Sequence, residues 1–144
     1  MIVDATRRET HTVEAFLSAA PGAVGTSVDL ILDQHFPLEV GLWVHSTPRD
    51  STWWIGRALL RAGCRAMAGE GRVTITPSTE HTIGVVLHGA SVQDGRCLVT
   101  LPRWQVDRVL DRSYRRVTPA MEATWIAASV DVALCEFLGR VPDA

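Results

Sequence analysis

Apolar and polar residues alternate one by one in several short segments of the first two-thirds of this sequence. The clearest segment runs from Leu38 to His45, where every second residue is Leu or Val. A period of two turns one apolar face of a β-strand inward and a mixed face outward. Comparable segments lie at residues 12–17, 28–33, 52–56, 73–76, 83–87 and 97–101. We therefore predict about seven strands, mostly antiparallel, with a hairpin at Gln93-Asp94-Gly95.

Helical segments are indicated where the period changes. Residues 57–61 no longer alternate, and we predict a short mid-chain helix that ends at Gly63. Pro102 suits the first position of a second helix, because the missing N–H of proline is not needed there. The apolar side of this second helix falls at helical spacing, at Val106, Val109, Leu110 and Ser113.

The start of the last helix stays open in the sequence. Ser129 suits as the N-cap of a short helix, and Thr118 followed by Pro119 suits an earlier start. Its apolar stripe is formed by Val130, Ala133, Leu134, Phe137 and Leu138. Because such stripes need burial, we expect the helices to cover one face of the sheet. The predicted fold class is α+β, with one short mid-chain helix and two C-terminal helices.

Length and composition bound the domain organisation. A chain of 144 residues suits a single domain over 1–144, because two domains would each be too small to bury a good core. We expect a flexible N-terminus at 1–11 and a short tail at 140–144. The N-terminus lacks a signal-peptide pattern, and no run of apolar residues is long enough to insert into a membrane. The three cysteines are far apart and suit a reducing cytoplasm.

The sequence lacks the motifs of several large enzyme classes. All 14 basic residues are arginine, so a Walker A lysine, a kinase strand lysine and a Schiff-base lysine are absent. No G-x-S-x-G elbow occurs, and the five histidines do not stand at metal-ligand spacing. Asp107 and Asp111 face a charged helix surface, where solvated pairing with arginines explains them. We predict no enzymatic activity, no cofactor and no metal site.

Five tryptophans are the unusual feature of the composition. Trp53 and Trp54 are adjacent in a predicted strand, so they point to opposite faces of the sheet. Trp43 falls on the less apolar face of its own strand. Outward aromatic residues are typical of protein interfaces and of nucleic-acid stacking platforms, and they also occur where helices or oligomer contacts cover a sheet.

A basic cluster occurs near the end of the second predicted helix. It consists of Arg112, Arg115 and Arg116, with Tyr114 between them. These arginines suit phosphate contacts, and they equally suit the solvated C-terminus of a helix, where cations complement the helix dipole.

Residues 28–138 resemble the SsgA-like proteins, an actinomycete family that controls cell division and sporulation septa. The resemblance rests on the order of F-P-L-E-V, W-W-I-G-R-A-L-L-R-A-G, G-E-G-R-V-T-I-T-P-S, a hairpin into L-V-T-L-P, and two closing helices. It implies a fold similar to the Whirly proteins and a homo-oligomer such as a trimer. It also implies a cytoplasmic protein without catalysis, active at the division septum.

The resemblance further implies how such a protein acts. It would select or stabilise the site of septum formation through contacts with the tubulin-like division protein FtsZ or with other SsgA-like proteins. Our hypothesis is that Trp43, Trp54 and Arg57 contact other subunits or partners. An alternative function, single-stranded nucleic-acid binding, suits the Whirly-like architecture. The absence of lysine and the net charge of −2 weigh against nucleic acid as a partner.

Overall fold

In the described part of the chain, seven strands form one antiparallel sheet. One short helix lies between the fourth and fifth strands in the sequence, and two helices follow the last strand. The computed structural model describes residues 8–19, 22–47, 51–69, 71–89 and 96–138. In chain order the elements are β1 Glu9–Ala19, β2 Gly22–Leu32, β3 Glu39–Val44, β4 Trp53–Gly56, α1 Arg57–Gly63, β5 Val73–Pro77, β6 Thr82–His88, β7 Arg96–Pro102, α2 Arg103–Arg116 and α3 Pro119–Phe137. The strand order across the sheet is β4-β3-β2-β1-β7-β6-β5. The predicted α+β fold class is confirmed.

Every second residue of the strands faces one continuous core. Val28 of β2 lies opposite Val13 of β1 on one side and opposite Val44 of β3 on the other, and all three are buried. On the other half of the sheet, Val85 of β6 pairs with Val99 of β7, and both side chains are fully buried. Removing these apolar side chains from water is the main favourable term in folding. We refer to this core side as the inner face of the sheet.

Helices α1 and α2 cover the inner face. The buried side of α2 consists of Val106, Val109, Leu110 and Ser113, the positions predicted from helical spacing. Pro102 differs slightly from its prediction, because it is the last residue of β7 and the N-cap of α2 instead of the first helical residue. Its backbone stays extended because it still pairs with Thr82 of β6.

Helix α1 connects the two edge strands of the sheet, β4 and β5. The guanidinium of Arg72, just before β5, lies 4.8 Å from the ring centre of Trp53 in β4. Ala68, after α1, exchanges two 2.8 Å backbone hydrogen bonds with Ile75 of β5. The sheet is therefore strongly curved, with its edges drawn towards each other around the core.

Helix α3 differs most from its prediction. It begins at Pro119, and the Thr118 side chain accepts a hydrogen bond from the Met121 backbone N–H, so the earlier of the two starts is correct. The expectation that it covers the sheet is wrong, because none of its 19 residues is buried. Apolar residues occur on all of its sides, so no single stripe directs it onto the sheet.

The predictions for the chain ends are tested only in part. β1 begins at Glu9, inside the segment 1–11 for which we expected a flexible terminus. The tail at 140–144 and the Gln93-Asp94-Gly95 hairpin lie outside the residues that the structure describes.

Gly63 permits the close approach of α1 to β5, and its replacement tests this packing. A Cβ atom at Gly63 would overlap with Cβ and Cγ2 of Ile75, a side chain that is fully buried. We expect Gly63→Ala to lower the free energy of unfolding by about 1–3 kcal/mol through overpacking. Urea unfolding measures this loss.

The matched control is Gly25→Ala, because a Cβ atom at Gly25 would meet no other atom within 4 Å. Equal stability of the two variants would contradict the close packing of α1 on β5.

Candidate partner-contact surfaces

Trp43 and Trp54 lie on the outer face of the sheet, opposite the core. Trp54 of β4 pairs with Gly41 of β3, and Trp43 is two residues further along β3 on the same side. Trp53 points the other way and packs against the core, as the alternation predicts. Both outer tryptophans are half-buried. Their role in partner contacts remains a prediction.

The outer tryptophans are packed against neighbours within the chain. The Trp54 ring stacks on Phe36 with 4.1 Å between ring centres, and it lies directly over Gly41. Trp43 donates a 3.1 Å hydrogen bond from Nε1 to the Thr47 carbonyl. The aromatic surface is therefore preorganised, which lowers the entropic cost of binding a partner.

A buried carboxylate lies beside Trp43 on the same face. Asp29 is only 6 % exposed and accepts a 2.8 Å hydrogen bond from the Thr12 hydroxyl. Nε2 of His45 lies 2.7 Å from the same oxygen, and the His45 ring is tilted against Trp43. These contacts hold β1, β2 and the end of β3 in register beneath the aromatic residues.

Arg57 is not on the surface, so the hypothesis that it contacts partners is wrong for this fold. Its side chain is fully buried at the start of α1, under Tyr114 of α2. The guanidinium lies 4.1 Å from the centre of that ring, at cation–π distance. The W-W-I-G-R motif therefore supplies an outward aromatic and an internal cation within four residues.

The Arg57 guanidinium joins all three helices. Nη1 donates to the backbone carbonyls of Ser113 at 2.9 Å and Val117 at 2.6 Å, the last acceptors of α2. Nη2 donates at 2.9 Å to the carboxylate of Glu122, in the first turn of α3. A cation suits this place, because the C-terminus of α2 presents partial negative charge. Arg57 thus fixes the α2–α3 junction onto α1.

A cavity of about 270 Å³ lies between this junction and the turn that follows β2. Its walls are mainly apolar, and Phe36, Met121 and Trp125 contribute to them. Asp33 lies in the wall, where it accepts hydrogen bonds from the His35 backbone N–H and from Arg8, both at 2.8 Å. The backbone hydrogen bond from His35, together with Arg8 and the His35 ring, lowers the pKa of Asp33 to about 2.

Beyond its first turns, α3 is an exposed apolar helix. Its large side chains with more than half of their surface exposed are Ile126, Val130, Val132, Leu134 and Phe137. Phe137 alone is 86 % exposed. A helix that is apolar on all sides is normally buried within a larger structure. More than half of the exposed large apolar residues in the described part of the chain lie on α3.

The described residues offer little for chemistry. No three His, Cys, Asp or Glu side chains within them come together as a metal-binding group. Burial raises the pKa of the Cys64 thiol, which keeps it protonated and weakly reactive. No helix in the described part of the chain is long and apolar enough to cross a membrane.

Comparison with known proteins identifies the family to which this chain belongs. Residues 26–122 match the family model described as Streptomyces sporulation and cell division protein, SsgA. The chain belongs to the SsgA family. The matched region runs from β2 to the first turn of α3 and includes Trp43, Trp54, Arg57 and Glu122.

Solved structures agree with this membership in fold. SsgB, whose mutations correlate to longitudinal cell division during sporulation of Streptomyces coelicolor, matches with a TM-score of 0.68 and 22 % identity. The match covers 82 % of this chain and 94 % of that one. An SsgA-like sporulation-specific cell division protein from Thermobifida fusca YX-ER1 matches with a TM-score of 0.70 and 22 % identity, over 92 % and 98 % of the two chains. No curated protein matches the sequence.

Replacing Arg57 tests its place in the SsgA-family fold. Arg57→Met leaves the Glu122 carboxylate and two α2 carbonyls without their cation, and we expect a loss of about 3–5 kcal/mol in the free energy of unfolding. Arg57→Lys should recover only part of this, because an ammonium lacks the planar fork of a guanidinium. Denaturant unfolding measures both.

Arg61→Met is the control, since Arg61 is exposed and its guanidinium lies 4.8 Å from the centre of the same Tyr114 ring. If both Met variants lost equal stability, the buried network would not be the cause.

Asp33 gives the fold a pH dependence whose sign can be stated. Its folded pKa of about 2 lies below the ordinary value of 3.8, so its ionised form stabilises the fold above pH 3.8. This contribution is lost as the pH falls from 3.8 towards 2. The stability difference between the unaltered protein and Asp33→Asn should therefore shrink over that range in pH-dependent urea unfolding. A difference that stays constant with pH would contradict this, and the exposed Asp111→Asn serves as control.

Proposed function

We propose that this protein is a non-enzymatic factor in sporulation-related cell division, acting in septum-site selection or septum formation through contacts with other proteins. Family membership supports sporulation and cell division as the process. The observation that carries the mode of action is the unburied apolar surface of α3, which suits binding to macromolecules. The cytoplasm, at the division septum, is the proposed place of action.

Self-association is the first contact that we propose. In one chain, Ile126 and Val130 are exposed on α3 one helical turn apart, and Trp125 and Val132 are exposed on another side of the same helix. Several copies that surround one another's helices would bury all of these sides, whereas a single flat partner would cover only one. A homo-oligomer with α3 near its centre therefore satisfies the apolar surface, and a trimer is the assembly that we propose.

Contacts with division proteins are the second part of the proposal, with FtsZ or other SsgA-like proteins as partners. The half-buried Trp43 and Trp54 on the outer face are the candidate residues, because preorganised aromatic residues contribute strongly to protein interfaces. This face remains available when α3 is covered, since α3 does not pack on the sheet. The carboxylates of Glu14 and Asp29 lie on the same face and disfavour a nucleic-acid backbone there.

Charge placed on α3 tests the proposed assembly. We expect Ile126→Asp combined with Val130→Asp to reduce the unaltered oligomer to single chains, because a charge is costly to bury in an apolar interface. Size-exclusion chromatography with light scattering measures the mass. A single-chain mass for the unaltered protein, or an unchanged mass for the variant, would contradict the α3 interface.

The matched control adds the same charge at two exposed positions of β1 and β2, Thr10→Asp and Ala23→Asp, and should keep the oligomer. In sporulating cells, a fluorescent fusion of the unaltered protein should concentrate at septa, and the α3 variant should be diffuse. Diffuse fluorescence of the unaltered fusion would count against the proposed cellular role.

A further inference from the structure

Helix α2 exposes a tryptophan on its solvent side. Trp104 is 63 % exposed, although the apolar side of the same helix is fully used in the core. Trp104, Arg108, Asp111 and Arg115 follow one another at spacings of four, three and four residues, so they form one stripe along the helix. All four are exposed. We call this stripe the Trp104 ridge.

Helices α1 and α2, together with the turn that follows α1, are rich in arginine, in contrast to the rest of the chain. Residues 57–69 and 103–116 contain eight arginines and two aspartates. The remaining residues contain six arginines against fourteen acidic residues. The weakly negative net charge therefore conceals a strong separation of charge, which produces a positive potential over one side of the molecule.

Several of these arginines are already paired within the chain, and others are not. Arg57 pairs with Glu122, and Arg112 forms an ion pair with Glu9. By contrast, Arg65, Arg108 and Arg115 are exposed and make no ion pair with any carboxylate in the described residues. Arg61 is exposed as well and lies over Tyr114, which places its guanidinium beside α2. Arg61 thus lies beside the C-terminal end of the ridge, and the hydrogen bond from Arg103 to the Cys64 carbonyl brings Arg65 near its N-terminal end.

The mixed character of the ridge selects among anionic partners. Asp107 and Asp111 stand between the arginines, so a fitting partner must place uncharged groups opposite them, which a backbone with a phosphate at every nucleotide cannot do. A lipid surface would gain little, because Trp104 is the exposed large apolar residue of α2 and its other apolar residues are buried. A polypeptide with carboxylates and apolar side chains can place acids on the arginines and an apolar residue on the indole. The ridge is about 16 Å long, enough for roughly five residues of extended peptide.

We propose that the Trp104 ridge, with Arg61 of α1 and Arg65 in the turn after it, binds an acidic, apolar-containing segment of a partner protein. This surface is separate from α3 and from the outer tryptophans, because α1 and α2 cover the inner face of the sheet. It rests on the proposed function only in taking another polypeptide as the partner.

The test uses a fluorescein-labelled peptide that repeats the unit Asp-Glu-Leu. The peptide is titrated with the full chain at low and high salt. We expect binding that weakens as salt is added. Trp104→Ala should raise the Kd about tenfold, as truncation of an interface tryptophan commonly does. Arg108→Glu and Arg115→Glu should each raise it about fivefold or more.

Thr10→Glu combined with Ala23→Glu is the matched charge control, because it changes the net charge by the same amount at exposed positions of β1 and β2, outside α1 and α2, and should leave the Kd unchanged. Circular dichroism and the oligomer mass of each variant establish that it is folded. Competition arms contain oligothymidylate of equal net charge and phosphatidylglycerol vesicles.

Absence of peptide binding at low salt, equal weakening by the Thr10→Glu and Ala23→Glu control, or tighter binding of the oligonucleotide or the vesicles would each overturn the inference. The assay uses purified protein, so its failure is distinguishable from failure of the septal role. An oligomer that localises to septa and ignores the peptide would retain the proposed function and lose this surface.

Discussion

The position of the whole helical layer depends on one buried guanidinium. Arg57 begins α1 directly after the edge strand β4, and it contacts the end of α2 and the start of α3 at once. A buried cation needs acceptors, and two carbonyls, a carboxylate and an aromatic ring surround the two terminal nitrogens of this guanidinium, although its Nε has no hydrogen-bond partner among the described residues. Apolar pairing of the strands explains the sheet, whereas the junction between α1, the end of α2 and the start of α3 is held by this charge.

The strands were predictable because their physical cause is local. When one face of a strand is buried, every second residue must be apolar, and residues such as Val40 and Leu42 show this alternation in the sequence itself. The buried side of α2 was predictable for the same reason. The site of Arg57 was not, because an arginine in a short helix ordinarily faces water, and its carboxylate partner lies 65 residues further along the chain. Only the folded topology brings these two residues together.

The candidate contact surfaces were likewise predictable only in part. Alternation alone assigns Trp43 and Trp54 to the outer face, but it does not show that Phe36 stacks on one of them or that Asp29 is buried beside the other. The exposure of α3 did have a signal in the sequence, since apolar residues occupy every side of the helix between Met121 and Leu138. Our prediction missed this signal because it treated the apolar residues of the helix as a single stripe that packs on the sheet. Trp104 likewise occupies the polar side of an otherwise regular amphipathic helix, an anomaly that helical spacing reveals.

Attachment of α3 by its first turn alone has a thermodynamic consequence. An isolated helix of this length is only marginally stable in water, and beyond Trp125 this one gains little from the rest of its own chain. Whatever covers its apolar sides must come from other molecules, so mass action governs its helicity. In dilute solution the sheet with α1 and α2 can persist while the end of α3 frays. At higher concentration the same segment becomes ordered, so the melting temperature of the protein should rise with its concentration.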